Sequence, residues 1–204
     1  SWSGPHNAFG PPAESGEQFR HADVPPPLPP GDGMPEPILR KRLDMESEEV
    51  RQVARQYAAA IALIDDYVGR IVSVLEDRGM LDNTIIVFTS DHGEMLGDHG
   101  LWFKSVAYEP SMHVPLLIAA PGLPAGRTSD AIVELIDLAP TLYDLVGLPA
   151  VEHADGRSLA RVLAGESGAH RDAAVAVMRD WACVRSDRWK LIDTYNVGSE
   201  LYDM

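Results

Sequence analysis

Apolar residues recur at three- and four-residue intervals from Val50 through Val53, Tyr57, Ile61, Ile64, Val68 and Ile71 to Leu75. That spacing puts them on one face of a helix. Ser47 with Glu48 and Glu49 suits a helix start and Gly79 suits a stop, so a helix is predicted over 47–78. The pattern then changes. Ile85 to Phe88 is an unbroken, β-branched apolar run, as expected of a strand covered on both faces in a parallel sheet flanked by helices. Val114 to Ala120 reads the same way, and Ala131 to Leu135 reads as a short strand. Asp137 is placed to cap a helix that runs to Val146 and closes at Gly147. Ser158 to Leu163 reads as a further short helix ended by Gly165. From Ala173 the chain reads as short strands, 175–178, 181–185 and 189–193, with Asp187-Arg188 as a tight hairpin connection.

The first 37 residues break both periodicities. They are rich in proline, most densely over Pro25-Pro26-Pro27-Leu28-Pro29-Pro30. Such a stretch suits neither helix nor central strand and is expected to lie extended over a surface. A proline-rich ligand for an SH3-like partner is the competing reading.

Composition narrows the class. Hydrophobic residues make up 45% of the 204, enough for a packed core. The formal net charge of −14 disfavours a nucleic-acid partner. No stretch is long and apolar enough to span a membrane, and the reading is of a soluble chain whose compartment is left open. The single cysteine, Cys183, sits between Ala182 and Val184 and is expected on a buried strand rather than as a reactive thiol. The chain opens Ser1-Trp2-Ser3 without an initiator Met and ends Leu201-Tyr202-Asp203-Met204 without a tapering tail, so a longer parent is expected.

The chemistry concentrates in residues 90–104, directly after the Ile85–Phe88 strand. Strand carboxyl ends are where open α/β sheets bind ligands. Asp91 offers an anionic oxygen and His92 a neutral nitrogen, both ordinary metal donors. Gly93 and Gly97 allow tight turning, and Lys104 can meet an anion as a point charge. On the residues alone, Asp91-His92-Gly93 is equally a turn with a side-chain cap. A separate metal pair from His92 and His99 with Asp98 also competes, although Glu94 and His99 lack the His-Glu-x-x-His spacing. Asp65-Asp66 lies inside the long helix, where neighbours diverge by about 100°, and reads as solvated.

The run Thr84 to Glu94, followed by Gly97, Lys104, Tyr108-Glu109 and Val114-Pro115, closely resembles the sulfatase family of the alkaline-phosphatase superfamily. Pro5-His6-Asn7-Ala8-Phe9 is similar to the family's Pro-His-x-Pro-Phe segment. Asp137-Leu138-Ala139-Pro140-Thr141-Leu142, Asp155-Gly156-Arg157-Ser158-Leu159, and Trp189-Lys190 with Glu200 to Asp203 resemble later elements in the expected order. The resemblance implies an α/β fold, part of an alkaline-phosphatase-like sheet flanked by helices with a small C-terminal antiparallel sheet. Residues 1–168 would be the C-terminal half of the catalytic domain, opened by the extended proline-rich segment over 1–45. Residues 169–204 would begin the small subdomain.

The resemblance further implies roles. Asp91 and His92 would ligate a divalent cation, usually Ca2+, with Mg2+ or Mn2+ as alternatives. Lys104 would bind the sulfate and the ester oxygen, and His6 would contact the ester oxygen and protonate the leaving group. The substrate would be a small-molecule or carbohydrate sulfate ester, hydrolysed in the complete enzyme by a formylglycine hydrate. The departures are informative. Neither Cys-x-Pro-Ser-Arg nor Ser-x-Pro-x-Arg occurs, and the family's Asp-Asp metal pair is missing. Ala8 stands where Pro is usual and His113 where Arg is common. This chain alone is therefore expected to be inactive. A phosphonate monoester hydrolase or phosphodiesterase of the same superfamily is the alternative reading, and a non-catalytic relative or interaction module is the third.

Overall fold

The computed structural model describes residues 4–6, 9–31, 33–39 and 47–204. Expectations on Ser3, Asn7 and Ala8 lie outside the described residues. The chain forms two compact units, one of Ser1–Asp82 with Glu94–Phe103, the other of Asn83–Gly93 with Lys104–Met204.

The first unit is built on α3 (Ser47–Asp77), which follows two short helices, α1 (Ala13–Gln18) and α2 (Glu36–Leu39). The long helix is where the periodicity places it. Its N-terminal half carries the buried positions Val50 and Ala59, whereas Ile61 and Ile71 are exposed. Asp65 and Asp66 face solvent, as expected of a solvated pair. The expectation of a wholly extended proline segment is corrected by α1 and α2. Proline forbids a helix interior but not its edge, so α1 begins immediately after Pro12, and α2 carries Pro37 in its first turn. The dense run 25–30 carries neither helix nor strand.

Residues 94–103 fold back within this unit. Glu94 Oε1 accepts the Phe103 N–H at 2.6 Å and the Leu96 N–H at 3.2 Å, and the Met95 N–H donates to the Phe103 carbonyl at 2.9 Å. Met95 is thereby fully buried. Asp98 Oδ1 accepts the Leu28 N–H at 2.7 Å, and His99 Nδ1 donates to the Pro29 carbonyl at 2.8 Å. Asp98 and His99, members of the competing metal reading, here hold down the proline segment, which has few N–H groups of its own to offer. Gly97 has φ 95°, and a Cβ there would meet Val50 Cγ1 at 2.8 Å. Only glycine meets both demands.

In the second unit, β1 (Ile86–Thr89) pairs antiparallel with β2 (Leu116–Ala119), Ile86 opposite Ala119 and Thr89 opposite Leu116. The expectation of a parallel neighbour is corrected for this pair. An unbroken apolar run reports the surroundings of a strand and not its direction. Between them lies α4 (Glu109–Met112), a single turn. The expected strand at 131–135 does not form. Glu134 and Asp137 instead close a reciprocal capping box around a 3-10 turn, Leu135–Asp137. Then come α5 (Leu138–Leu145) and α6 (Ala160–Leu163), closed by Gly147 and Gly165 at φ 71° and 78°. Asp137 precedes α5, but its side chain makes no cap bond to that helix.

The carboxylate of Asp137, fully buried, accepts N–H groups from Glu134 at 2.9 Å and Arg157 at 2.8 Å. Arg171 grips both its oxygens, and His170 Nε2 lies 3.1 Å from Oδ2. Burial pushes this carboxyl up, but Arg171 and the two backbone donors outweigh it and hold it down to about 2.

The C-terminal sheet is a four-stranded antiparallel meander, β3 (Ala174–Met178), β4 (Trp181–Arg185), β5 (Trp189–Thr194) and β6 (Gly198–Asp203), in that order. Strict alternation along β5 exposes Trp189, Leu191 and Asp193 and buries Lys190, Ile192 and Thr194. Cys183, opposite Ile192, is 2% exposed, as the sequence predicts. Among the described residues no helix is long and apolar enough to cross a membrane.

Candidate functional site

The chain leaves β1 at Thr89 and enters a loop whose shape is dictated by backbone contacts. Ser90 Oγ donates to the His92 carbonyl at 2.7 Å. The Gly93 N–H donates to the Ser111 carbonyl at 2.7 Å. A Cβ at Gly93 would lie 2.0 Å from the Pro110 carbonyl oxygen, so no other residue lets the loop seat against α4. Within this loop Asp91 Oδ2 lies 3.7 Å from His92 Nε2, with the Asp91 side chain largely exposed. His92 Nδ1 is 2.8 Å from the Gly93 carbonyl oxygen. A carbonyl only accepts, so Nδ1 carries the proton and Nε2 carries the lone pair in the neutral ring. This is how metal-binding histidines are commonly oriented, one nitrogen donating to a carbonyl and the other facing the ion.

The donor set therefore fits a cation at its edge: one carboxylate and one imidazole nitrogen, adjacent and correctly polarised. Among the described residues no three His, Cys, Asp or Glu side chains gather as a metal cluster. Asp91 and His92 are thus a pair, and a hard cation such as Ca2+ takes six to eight oxygen-rich ligands.

Lys104 belongs to the same unit. Its carbonyl accepts the Ser111 hydroxyl at 2.6 Å. Ser111 is 3% exposed and sits on α4, whose position is set from the C-terminal sheet. Lys190 Nζ donates to Glu109 Oε1 at 2.7 Å, with Arg185 Nε at 3.6 Å from the same oxygen. Burial opposes the charged form of Glu109, but Lys190, Arg185 and His113 outweigh it and hold the carboxyl below its usual range. Tyr108 and Tyr202 both donate to Glu200 Oε2, at 3.0 and 2.5 Å. Burial, then the Glu200 charge beside them, raises both phenols.

His6 lies in the other unit. It lines a cavity of about 170 Å³ with Pro5, Phe9, Ala60, Leu63 and Tyr67. Phe9 packs edge-on against Tyr57 at 5.8 Å between ring centroids and tilted against Trp102 at 6.4 Å. Of the four residues singled out from sequence, then, Asp91 and His92 are in contact and Lys104 is tied to their loop through Ser111, while His6 is set in the first unit.

Sequence reasoning gave Ser111 no part, and it named Lys190 and Glu200 only within segments that carry the resemblance, not as buried charges. The signal for the last two was available: a charged residue at the buried phase of an alternating strand demands a partner. Ser111 left no such signal, because its role depends on what the fold brings to it.

Comparison with known proteins identifies the family. The profile of the family described as Sulfatase matches residues 3–148, and that described as N-sulphoglucosamine sulphohydrolase, C-terminal, matches residues 97–204. The choline-sulfatase of Rhizobium meliloti (strain 1021) is 37% identical over 171 residues, which is 80% of this chain and 33% of that protein. The N-acetylglucosamine-6-O-sulfatase of Bacteroides thetaiotaomicron is 37% identical over 174 residues, 78% of this chain and 31% of that protein. The chain thus spans about a third of the length of these curated relatives. Among solved structures, a phosphonate monoester hydrolase from Silicibacter pomeroyi superimposes with a TM-score of 0.86 over 98% of this chain and 48% of its own, at 26% identity.

Proposed function

The chain belongs to the sulfatase family, and from that premise we propose that it is the C-terminal portion of an enzyme hydrolysing a sulfate monoester, with Asp91, His92 and Lys104 serving the sulfate and His6 the leaving oxygen. The observation that carries the reading is the pair after β1. The His92 Nδ1 bond to the Gly93 carbonyl leaves the Nε2 lone pair beside the Asp91 carboxylate, within the matched segment.

Cleaving a sulfate ester builds negative charge on the departing oxygen and needs the sulfate oxygens neutralised. Lys104 brings a positive charge to the sulfate and the ester oxygen. His6 donates a proton to the leaving oxygen. Asp91 and His92 would hold a divalent cation, Ca2+ by family habit with Mg2+ or Mn2+ as alternatives, which supplies charge neutralisation at the sulfate oxygens when bound. No formylglycine precursor motif occurs in these 204 residues. The nucleophile therefore comes from other sequence of the complete enzyme, and the isolated chain does not turn over. The named activities of the relatives, on choline sulfate and on N-acetylglucosamine 6-O-sulfate, suggest a small-molecule or carbohydrate ester.

A second reading, phosphonate monoester hydrolysis, rests on the Silicibacter pomeroyi superposition. Turnover of 4-nitrophenyl sulfate and of a phenyl phosphonate monoester by the complete enzyme separates the two. Sulfate preference is expected, and Asp91→Asn or Lys104→Ala should each cost about 10²–10³-fold in kcat. Phosphonate preference would replace the first reading by the second. Sulfate-ester turnover by the purified 204-residue chain would overturn the division of the site.

A further inference from the structure

We infer that Ser111 is a positioning residue that couples the loop carrying Asp91 and His92 to Lys104, an inference that rests on the role proposed above for Lys104. Two hydrogen bonds carry it. The Ser111 carbonyl accepts the Gly93 N–H at 2.7 Å, and the Ser111 hydroxyl donates to the Lys104 carbonyl at 2.6 Å. Both anchors belong to one residue, so the backbone at 93 and at 104 is held within about 10 Å.

The local structure explains why this residue can serve both sides. The helix α4 is one turn long, Glu109–Met112. The last carbonyls of a helix have no intrahelical donor, so that of Ser111 is available to the Gly93 N–H. The short Ser111 side chain brings its hydroxyl to the Lys104 carbonyl, and Ser111 is 3% exposed, so water does not compete. Gly93 completes the fit, because any Cβ there would strike the Pro110 carbonyl oxygen. The turn is itself fixed by Glu109 on Lys190 and Tyr108 on Glu200. Glu109 Oε1 and the buried Lys190 ammonium set the height of α4, and Ser111 passes that position to both arms of the site.

The two bonds fail separately. Ser111→Ala keeps the carbonyl that holds Gly93 and removes only the hydroxyl that holds Lys104. It should therefore act through Lys104 and not through the Asp91-His92 pair. The test is a double-mutant cycle in the complete enzyme, with kcat/KM for 4-nitrophenyl sulfate and inhibition by inorganic sulfate as readouts. Ser111→Ala is expected to lower kcat/KM and sulfate affinity about tenfold in the wild-type background, and by less than twofold when Lys104 is already Ala. Ser111→Thr should restore sulfate affinity to within about threefold. Ser111→Cys, near-isosteric and a weaker donor, should fall between, and it serves if the Ala variant does not fold. An equal loss in both backgrounds would make Ser111 merely structural and sink the inference while leaving the Lys104 assignment intact. A Lys104→Ala enzyme with undiminished sulfate affinity would instead remove the assignment on which the inference stands.

Discussion

Replacing Asp137 by Asn keeps the shape of the side chain and removes the charge on which five donors converge. The Glu134 and Arg157 N–H groups, two nitrogens of Arg171 and His170 Nε2 all address this carboxylate. The Asn amide nitrogen would point a donor at donors. The Arg171 side chain, only 10% exposed, would lose its main counterion and keep Glu134 at 3.2 Å. Breaking a buried pair by removing one partner costs about 3–5 kcal/mol. An independent route gives a compatible lower figure. A carboxyl held at about 2 against an ordinary 3.8 contributes roughly 2 kcal/mol at neutral pH through linkage alone. The sign follows from the depressed value: the contribution is complete above about pH 4 and is lost as pH falls toward 2. Urea unfolding at pH 7 should therefore show Asp137→Asn less stable by about 3–5 kcal/mol. Parallel melts from pH 5 to pH 2 should show a shallower acid slope for the variant. A loss under about 1 kcal/mol, or an unchanged acid slope, would refute the hub.

Two further outcomes follow from the C-terminal sheet. Glu109→Gln leaves the Lys190 ammonium, 3% exposed, without its anionic partner and should cost about 3 kcal/mol in the same unfolding assay; a neutral result would mean that Lys190 finds solvent. Cys183, whose thiol burial pushes up and which lies under the sheet, should resist a disulfide-exchange reagent in the native protein and react fully after unfolding, as read by thiol absorbance. Rapid native labelling would contradict its burial.

The long helix was legible from its 3.6-residue pattern over 47–77, and three of the four tail strands from short apolar runs between turns, whereas β6 (Gly198–Asp203) was not read as a strand. The Ile86–Thr89 strand was legible as a strand, but its antiparallel pairing with Leu116–Ala119 was not. Direction is decided by the return path of the chain, which periodicity does not encode. Asp137 misled for a related reason. Its place before an apolar helix is that of a cap, yet in the fold its carboxylate turns to Arg171, 34 residues away in sequence. Asp98 and His99 likewise carry metal-ligand chemistry in the sequence and spend it on Leu28 and Pro29, 70 residues earlier.

By itself the sequence determined the family, placed the long helix, the Ile86–Thr89 and Leu116–Ala119 strands and most of the tail sheet, and named the side chains proposed above for the site, because residue types and local spacing are properties of the chain. Tertiary structure alone decided how they are held. The proton on His92 is assigned by a carbonyl next door, Gly93 is required by a carbonyl 17 residues on, and Lys104 is tied to both through Ser111. Those are contacts between segments that meet only when the chain is folded, and hydrogen bonds are specified by distance and angle rather than by position in sequence.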